Sequence, residues 1–576
     1  MSYTDLYNKF INSDKVSDKH KDELRMIAGD ENDIKSRFAS YLSFGTAGLR
    51  ATMKVGTNAM NVYTVSHTTQ GLANLIKKEK RERDGVAIAC DSRNNSMEFA
   101  RTAASVLAAN GILVYIFDGP RPTPELSFAL RHYGCVAGIN VTASHNPKEY
   151  NGYKAYWEDG AQLPPEHAAV ISAEMAKIDI LDDVKKTNYE SAVKDGLIKI
   201  MGNETDEVYL AAVSEQQIRP DAAKKVADEL KIVYTPLHGA GYKLVPEILS
   251  RIGYKHIYKV DEQMKLDGNF PTVKKPNPEY KETFELGIKL AEKVGSDLII
   301  ATDPDADRVG AMTRTSDGSF VNITGNQMGA LLLDYIITSY KETGTIPSEP
   351  YAVKTIVTTE LATKICRENG VKLYNVLTGF KYIGEVIKNH EKAGHGSFIF
   401  GFEESYGCLK GTYARDKDAV LGTMMICEMT AYYKEKNMTL YDAIEALYKK
   451  YGYFKEGVSE FEFASLDGKE KMSALMKSFR ADLPKSICGK AVEFTGDYLA
   501  GTVTENKSGK SVSTGLPKSD VLSFKLEGGD VMIVRPSGTE PKVKVYFLLS
   551  DKSREACEAK FASYKAEFEK RIGEKL

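Results

Sequence analysis

One pattern recurs three times along this chain of 576 residues and restricts its fold more than any other feature. An apolar strand is followed by an amphipathic helix, a second strand, and later a polar loop rich in special residues. The first instance runs through VAIACDSR (86–93), a helix over 97–109 and GILVYIF (111–117). A helix after PRPTPE, with Pro124 suited to its first turn, leads to the strand CVAGINVT (135–142), which runs into ASHNP. The second instance runs through KIVYTPLHGAG (231–241), a helix over 243–251 and HIYKV; a helix over 280–294 then leads to DLIIAT (297–302) and DPDADR. The third runs through YAVKTIVTT (351–359), a helix over 360–369 and KLYNVLTGF; a further helix leads to GSFIFGFEES (396–405). Strands separated by helices imply parallel βαβ units with right-handed crossovers, whose ligands bind beyond the carboxyl ends of the strands.

The remainder differs. Residues 1–40 read as polar helix, and the segment after 457 has short strands (VLSFKLEG, DVMIVRP, KVKVYFLLS) and a closing helix over 552–571. The pattern predicts an α/β protein: three related α/β domains with parallel-rich sheets, over 1–208, 209–325 and 326–456, and a C-terminal α+β domain over 457–576. Each repeat would offer one loop to a shared central cleft.

Charge narrows the partners. With 77 basic and 79 acidic residues the net charge is -2, so no global field points to nucleic acid or membrane, and an anionic ligand must be held by local basic residues. The seven cysteines are scattered without a CxxC pair, as expected in a reducing compartment. The N-terminal stretch lacks the basic and apolar regions of a signal peptide, and the richest apolar run, MGALLLDYIITSY, is broken by Asp334. A cytoplasmic protein, a monomer or weak homo-oligomer, is expected.

Several loops carry chemistry. In VTASHNPKEYNGYK (141–154) a strand delivers Ser144 into a turn of His145, Asn146 and Pro147, with Lys154 ten residues on. A serine hydroxyl needs a base, a metal or charged surroundings to become a nucleophile, and an ordinary Asn-Pro turn would look similar. The acyl-hydrolase pattern GxSxG is absent. In DLIIATDPDADRVG (297–310), Asp303, Asp305 and Asp307 alternate directly after a strand, which can turn three carboxylates toward one hard cation such as Mg²⁺. An EF-hand is excluded, because Arg308 and Arg314 stand where its glycine and glutamate belong. Arg308 is placed to hold a phosphate oxygen. GFEESYG (401–407) offers Glu403, Glu404 and Ser405 to sugar hydroxyls; LTGFK (377–381) gives a glycine-containing loop with Lys381, and ARDKD (414–418) offers Arg415 and Lys417 to an anion, although such a charge run is more often a solvated face. In RPSGTEPK (535–542), Arg535 offers a fork of donors, and Ser537, Gly538 and Thr539 can form an anion nest. FGTAGLR (44–50) adds Arg50 after a glycine loop, and no GxxxxGK[ST] pattern implies a nucleoside triphosphate.

In the order GTAGLR, TASHNP, DPDADR, LTGFK, GFEES, RPSGTEP, these segments resemble the α-D-phosphohexomutase superfamily over nearly the whole chain. The segment before GTAGLR and the form DPDADR resemble its longer subgroup, with bacterial α-phosphoglucomutases, phosphopentomutases and glucose-1,6-bisphosphate synthases. The resemblance implies a phosphorylated Ser144, and Mg²⁺ held by its phosphate with Asp303, Asp305 and Asp307. Arg308 would lie near the transferring phosphoryl, with Arg50, Lys154 and His145 around it. Thr378, Gly379, Lys381, Glu403, Ser405 and Lys417 would line the sugar, and Arg535, Ser537, Gly538 and Thr539 would hold the non-reacting phosphate. The implied reaction interconverts glucose 1-phosphate and glucose 6-phosphate through glucose 1,6-bisphosphate, with the last domain closing over the cleft. Mannose or pentose phosphates are alternative substrates. Mannose-accepting members more often place a Gly-His pair after the serine, and Tyr406–Gly407 departs from that. Two other readings remain. In an aspartate-nucleophile phosphatase Asp305 would carry the phosphoryl and Asp307 act as acid/base, leaving Ser144 without a role. A sugar-phosphate sensor would bind without turnover.

Overall fold

The computed structural model describes residues 2–45, 48–463, 468–537 and 542–575. They form two compact units, the first made of Met1–Ile323, Gly384–Ala393 and Tyr406–Thr439, the second of Thr324–Ile383, Gly394–Ser405 and Leu440–Leu576.

The first unit holds two sheets of the predicted kind. Strands Val86–Cys90, Val114–Phe117 and Ala137–Val141 are parallel, with the first in the middle. Every residue of Val86–Cys90 and Ala137–Val141 is buried, as expected for strands covered by helices on both faces. Helices Val62–Lys78 and Ser96–Ala109 pack on one face through Leu72, Ile76, Phe99 and Leu107, and Thr123–His132 covers the other through Leu126 and Leu130. In the second sheet Lys231–Thr235 lies between its parallel neighbours His256–Lys259 and Leu298–Thr302. Here the expected strand 231–241 stops at Thr235, because Leu237 and His238 turn into the left-handed region. The N-terminal stretch is three short helices, Tyr3–Asn12, Asp18–Met26 and Glu31–Phe38, packed through Phe10, Leu24 and Phe38.

Both sheets add something the expectation of parallel units omitted. Beyond the third strand lies an antiparallel neighbour, Tyr150–Trp157 in the first sheet and Val309–Arg314 in the second. The loop joining the third strand to this neighbour contains Ser144 in one sheet and the three aspartates in the other. The two chemical loops therefore occupy the same topological position.

In the second unit Pro350–Thr355 pairs in parallel with Lys372–Val376 and Ser397–Phe402, and the last strand runs into Glu403. The helix Gly325–Thr343 begins at a Thr324–Gln327 capping box. The aspartate inside its apolar run, Asp334, accepts hydrogen bonds from Tyr451 Oη (2.7 Å) and Lys450 Nζ (3.1 Å). The C-terminal part is an antiparallel sheet ordered Tyr453–Glu462, Lys542–Asp551, Val531–Pro536, Leu522–Leu526, Lys490–Asp497, Thr502–Glu505 and Lys510–Ser513. Helices Gly468–Ala481 and Arg554–Lys575 cover one face through Phe479, Tyr564 and Phe568. On the other, Ile533, Tyr546 and Leu548 meet Ile356, Val357 and Leu377. Among the described residues no helix is long and apolar enough to cross a membrane.

Candidate active site

Ser144 follows the strand Ala137–Val141 and is 3% exposed, with φ of +52°, a left-handed conformation that side chains rarely adopt. Its amide donates to Thr142 Oγ1 (2.8 Å) and its hydroxyl to Asp303 Oδ2 (3.0 Å); the hydroxyl also lies 3.2 Å from His145 Nδ1. Lys154 comes from the antiparallel strand Tyr150–Trp157, and Arg50 from the strand paired with it, Gly48–Thr52. Arg50 Nη1 reaches Asn146 Oδ1 at 3.3 Å.

Asp303, Asp305 and Asp307 are buried, and their carboxylates offer oxygens within 4.8 Å of one another. Asp303 Oδ1 accepts the amides of Asp307 (3.1 Å) and Arg308 (3.0 Å). Asp305 Oδ2 accepts from Lys154 Nζ (2.7 Å) and Thr123 Oγ1 (2.8 Å). Asp307 Oδ2 faces Lys417 Nζ at 3.1 Å and Lys154 Nζ at 3.4 Å. The other oxygens of Asp305 and Asp307 are buried and accept no hydrogen bond from the described residues. A buried carboxylate oxygen without a donor is costly, and two beside a third carboxylate suit a hard divalent cation.

The electrostatics follow from this crowding. Burial, reinforced by Asp305 and Asp307, pushes the Asp303 carboxyl well above the ordinary range. Burial also opposes charge on Asp305, but the Lys154 ammonium outweighs it and holds that carboxyl low. Burial works against the Lys154 charge too; Asp305 and Asp307 overcome it and raise its pKa. His145 is pushed well below its usual value by burial and by the cations Arg308, Arg50, Lys154 and Arg93, which favours a neutral imidazole.

The second unit gathers a different set. Glu403, 6% exposed, accepts the amide of Gly379 (3.0 Å), whose φ of +125° suits glycine. Thr378 is nearby in sequence, and its buried Oγ1 has no hydrogen-bond partner among the described residues. Glu404 points instead to Thr355 and Thr358, which donate to its Oε2 at 3.3 and 3.2 Å. Ser405 is half-buried, and the Lys381 ammonium lies 5.1 Å from the centre of the Tyr382 ring. Arg535 and Ser537 stand at the end of Val531–Pro536, and the Ser537 amide donates to Lys542 O (2.7 Å). Gly538 and Thr539 lie outside the described residues.

Arg415, offered by the sequence for an anion, has another task. It is 1% exposed, pairs with Glu391, and donates to the carbonyls of Thr412 and Ala414. Residues missed by sequence reading surround the triad. Thr123 lies in PRPTPE, and Asn140 donates to its hydroxyl at 2.6 Å. Asp416, in ARDKD, accepts from Tyr156 Oη (3.0 Å) and lies 3.2 Å from Lys417 Nζ. Nothing in their local sequence distinguishes them from ordinary loop residues.

Family models for phosphoglucomutase/phosphomannomutase match in series: alpha/beta/alpha domain I over residues 41–181, domain II over 207–318, domain III over 324–451, and the C-terminal domain over 493–561. A phosphoglucomutase of Staphylococcus saprophyticus is 38% identical over 519 residues, covering 90% of this chain and 92% of that protein. A phosphoglucomutase of Staphylococcus aureus is 36% identical over 527 residues, with the same coverage of 90% and 92%. The fold matches the crystal structure of the Paramecium phosphoglucomutase parafusin with a TM-score of 0.68 at 19% identity, covering 90% of this chain and 92% of that one. A putative phosphomannomutase from Thermus thermophilus matches with a TM-score of 0.66 at 20% identity, over 93% and 99%. Four consecutive domain matches and relatives spanning nine-tenths of the chain make it a member of the phosphoglucomutase/phosphomannomutase family, within the α-D-phosphohexomutases.

Proposed function

We propose that the protein is a phosphoglucomutase that interconverts α-D-glucose 1-phosphate and glucose 6-phosphate through a phosphorylated Ser144. The observation that carries this reading is the Ser144 hydroxyl, held 3.0 Å from Asp303 at the edge of a buried aspartate triad with two orphaned oxygens. A phosphoryl on Ser144 passes to the free hydroxyl of the sugar monophosphate, giving glucose 1,6-bisphosphate; after the bisphosphate reverses in the site, its other phosphoryl returns to Ser144. Asp303, Asp305 and Asp307 are the residues to hold Mg²⁺, which when bound neutralises charge on the transferring phosphoryl. Arg308 and Arg50 flank that phosphoryl. The neutral His145 is the group at hand to take the proton of the attacking hydroxyl, and the Lys154 ammonium is the group at hand to give one to the departing serine oxygen. Glu403 and Ser405 accept and orient sugar hydroxyls, and Arg535 with Ser537, Gly538 and Thr539 holds the phosphate that does not react. The same reading makes the enzyme cytoplasmic, with glucose 1,6-bisphosphate as activator.

Glucose is favoured over mannose by Gly407. A Cβ there would lie 2.0 Å from Lys417 Cδ, so the histidine of mannose-accepting members would have to displace this lysine from its path. The test is turnover with Mg²⁺ and a trace of glucose 1,6-bisphosphate, comparing glucose, mannose and ribose 1-phosphates. The expected kcat/KM is highest for glucose 1-phosphate, and Ser144→Ala should fall to background. Retained activity in that variant would remove the phosphoserine mechanism, and a preference for mannose or ribose would overturn the substrate.

A further inference from the structure

Arg93 follows the strand Val86–Cys90, is 3% exposed, and directs its guanidinium at one loop. Nη2 donates to Ser144 O (2.5 Å) and to Asn146 O. Nη1 donates to Pro147 O (2.9 Å) and Tyr150 O (3.1 Å). One side chain therefore gathers four carbonyls of the segment that carries the nucleophile. Nε lies 3.2 Å from Asp91 Oδ2, with both side chains fully buried.

Asp91 ties the same loop from its other side. Its Oδ1 accepts the Arg93 amide (2.9 Å) and the Ser96 hydroxyl (2.8 Å), and its Oδ2 accepts the Thr142 hydroxyl (2.7 Å). Thr142 Oγ1 in turn accepts the amide of Ser144 at 2.8 Å. Ser144 is thus gripped at its carbonyl by Arg93 and at its amide through Thr142 and Asp91. A left-handed serine persists only where its surroundings over-determine it, and these two grips supply that.

Part of the connection between the second-sheet strands His256–Lys259 and Leu298–Thr302 closes over the guanidinium. The Phe270 ring lies 5.0 Å from Arg93 Cζ, and Asn94 Nδ2 donates to Asn269 Oδ1 (3.0 Å). Gly268 permits the approach, since a Cβ there would stand 2.2 Å from the Asn94 nitrogen. The chain that carries the triad thereby also shields Arg93 from water.

We propose that Arg93 is a positioning residue for phosphoryl transfer, holding the Ser144 loop so that the serine hydroxyl faces Asp303, with Asp91 and Thr142 as its anchor. The proposal rests on the reading of Ser144 as phosphoryl carrier. The planar fork matters as well as the charge, because a lysine ammonium has three donors and no rigid span to reach four carbonyls.

The experiment compares Arg93→Lys, Thr142→Val and the unmodified enzyme by steady-state kinetics on glucose 1-phosphate. It also follows the rate at which glucose 1,6-bisphosphate phosphorylates Ser144, read by intact mass, and the melting temperature. For Arg93→Lys the expected result is a kcat reduced by about 10²-fold, with KM changed by less than about twofold, and serine phosphorylation slowed in step. Thr142→Val should give the same split to a smaller degree. Guanidinium ion should restore part of the kcat of Arg93→Ala, which a general loss of stability would not allow. A folded Arg93→Lys enzyme with unchanged kcat, or a loss confined to KM, would overturn the proposal. Should Arg93→Lys not fold, an unchanged kcat in Thr142→Val would do so. Ser144→Ala separates the two failures: if that variant keeps turnover, the carrier reading falls first.

Discussion

Lys417 reaches the triad only because residue 407 has no side chain. A Cβ on Gly407 would stand 2.0 Å from Lys417 Cδ and 2.6 Å from its Cγ, so the lysine stem would have to leave its path. From that path its ammonium meets Asp307 at 3.1 Å and Asp416 at 3.2 Å. Gly407→Ala should therefore move the ammonium away from the triad and lower kcat by about 10²-fold, the scale of a 1 Å misplacement at a reacting centre. Steady-state kinetics check this, and kcat within a factor of about two of the parent would show that Lys417 position is not limiting. The residues legible in the sequence were those whose chemistry is conspicuous locally. Three aspartates at alternate positions after a strand announce a charge problem that a cation would solve, and Ser144 stood in a turn at a strand end. Arg93 and Asp91 gave no such sign, because CDSR is an ordinary strand terminus until folding brings it under the loop of 144–150. Arg415 misled for the converse reason: a charged run usually faces water, and here its arginine is enclosed.

At the scale of elements, the helix Gly325–Thr343 depends on a close approach that its sequence does not advertise. A Cβ on Gly329 would lie 1.9 Å from the ring of Phe402, which is 1% exposed on the strand Ser397–Phe402 that leads into Glu403. Gly329→Ala should destabilise this unit by about 1–3 kcal/mol despite alanine's better helix propensity, because a buried ring cannot yield without shifting its strand. A lower melting temperature together with a reduced kcat/KM for glucose 1-phosphate would be the signature; an unchanged melt would mean the ring relocates freely. Helices and central strands were readable from apolar periodicity, and Glu360–Asn369 falls where it was expected. The antiparallel strands Tyr150–Trp157 and Val309–Arg314 were not, since pairing direction is a long-range property that alternation alone does not encode. Their omission mattered, because they supply Lys154 and close the two chemical loops.

At the scale of the molecule, each compact unit has its own core, so each is expected to unfold in its own transition, and the triad belongs to the first. Asp303 sits well above its ordinary range through burial and through Asp305 and Asp307. The folded protein then holds a proton that the unfolded chain releases near pH 3.9, roughly the free aspartate value, so this group lowers stability as pH rises above that point. Asp305 has the opposite sign. Its depressed pKa gives a contribution present above about pH 4 and lost only as pH falls toward the folded value, so of these two carboxyls only Asp303 changes stability as pH rises above about 5. A divalent cation between the carboxylates favours the fully ionised triad. In calorimetry Asp303 should make the metal-free first transition fall more steeply with rising pH than it does in Asp303→Asn, and saturating Mg²⁺ should remove that difference. At free Mg²⁺ 100-fold above its Kd the added stability would be about 2.7 kcal/mol, borne by the first transition and not the second. Equal shifts of both transitions, or a pH slope unchanged by Asp303→Asn, would mean that the triad is not where the cation and the proton compete.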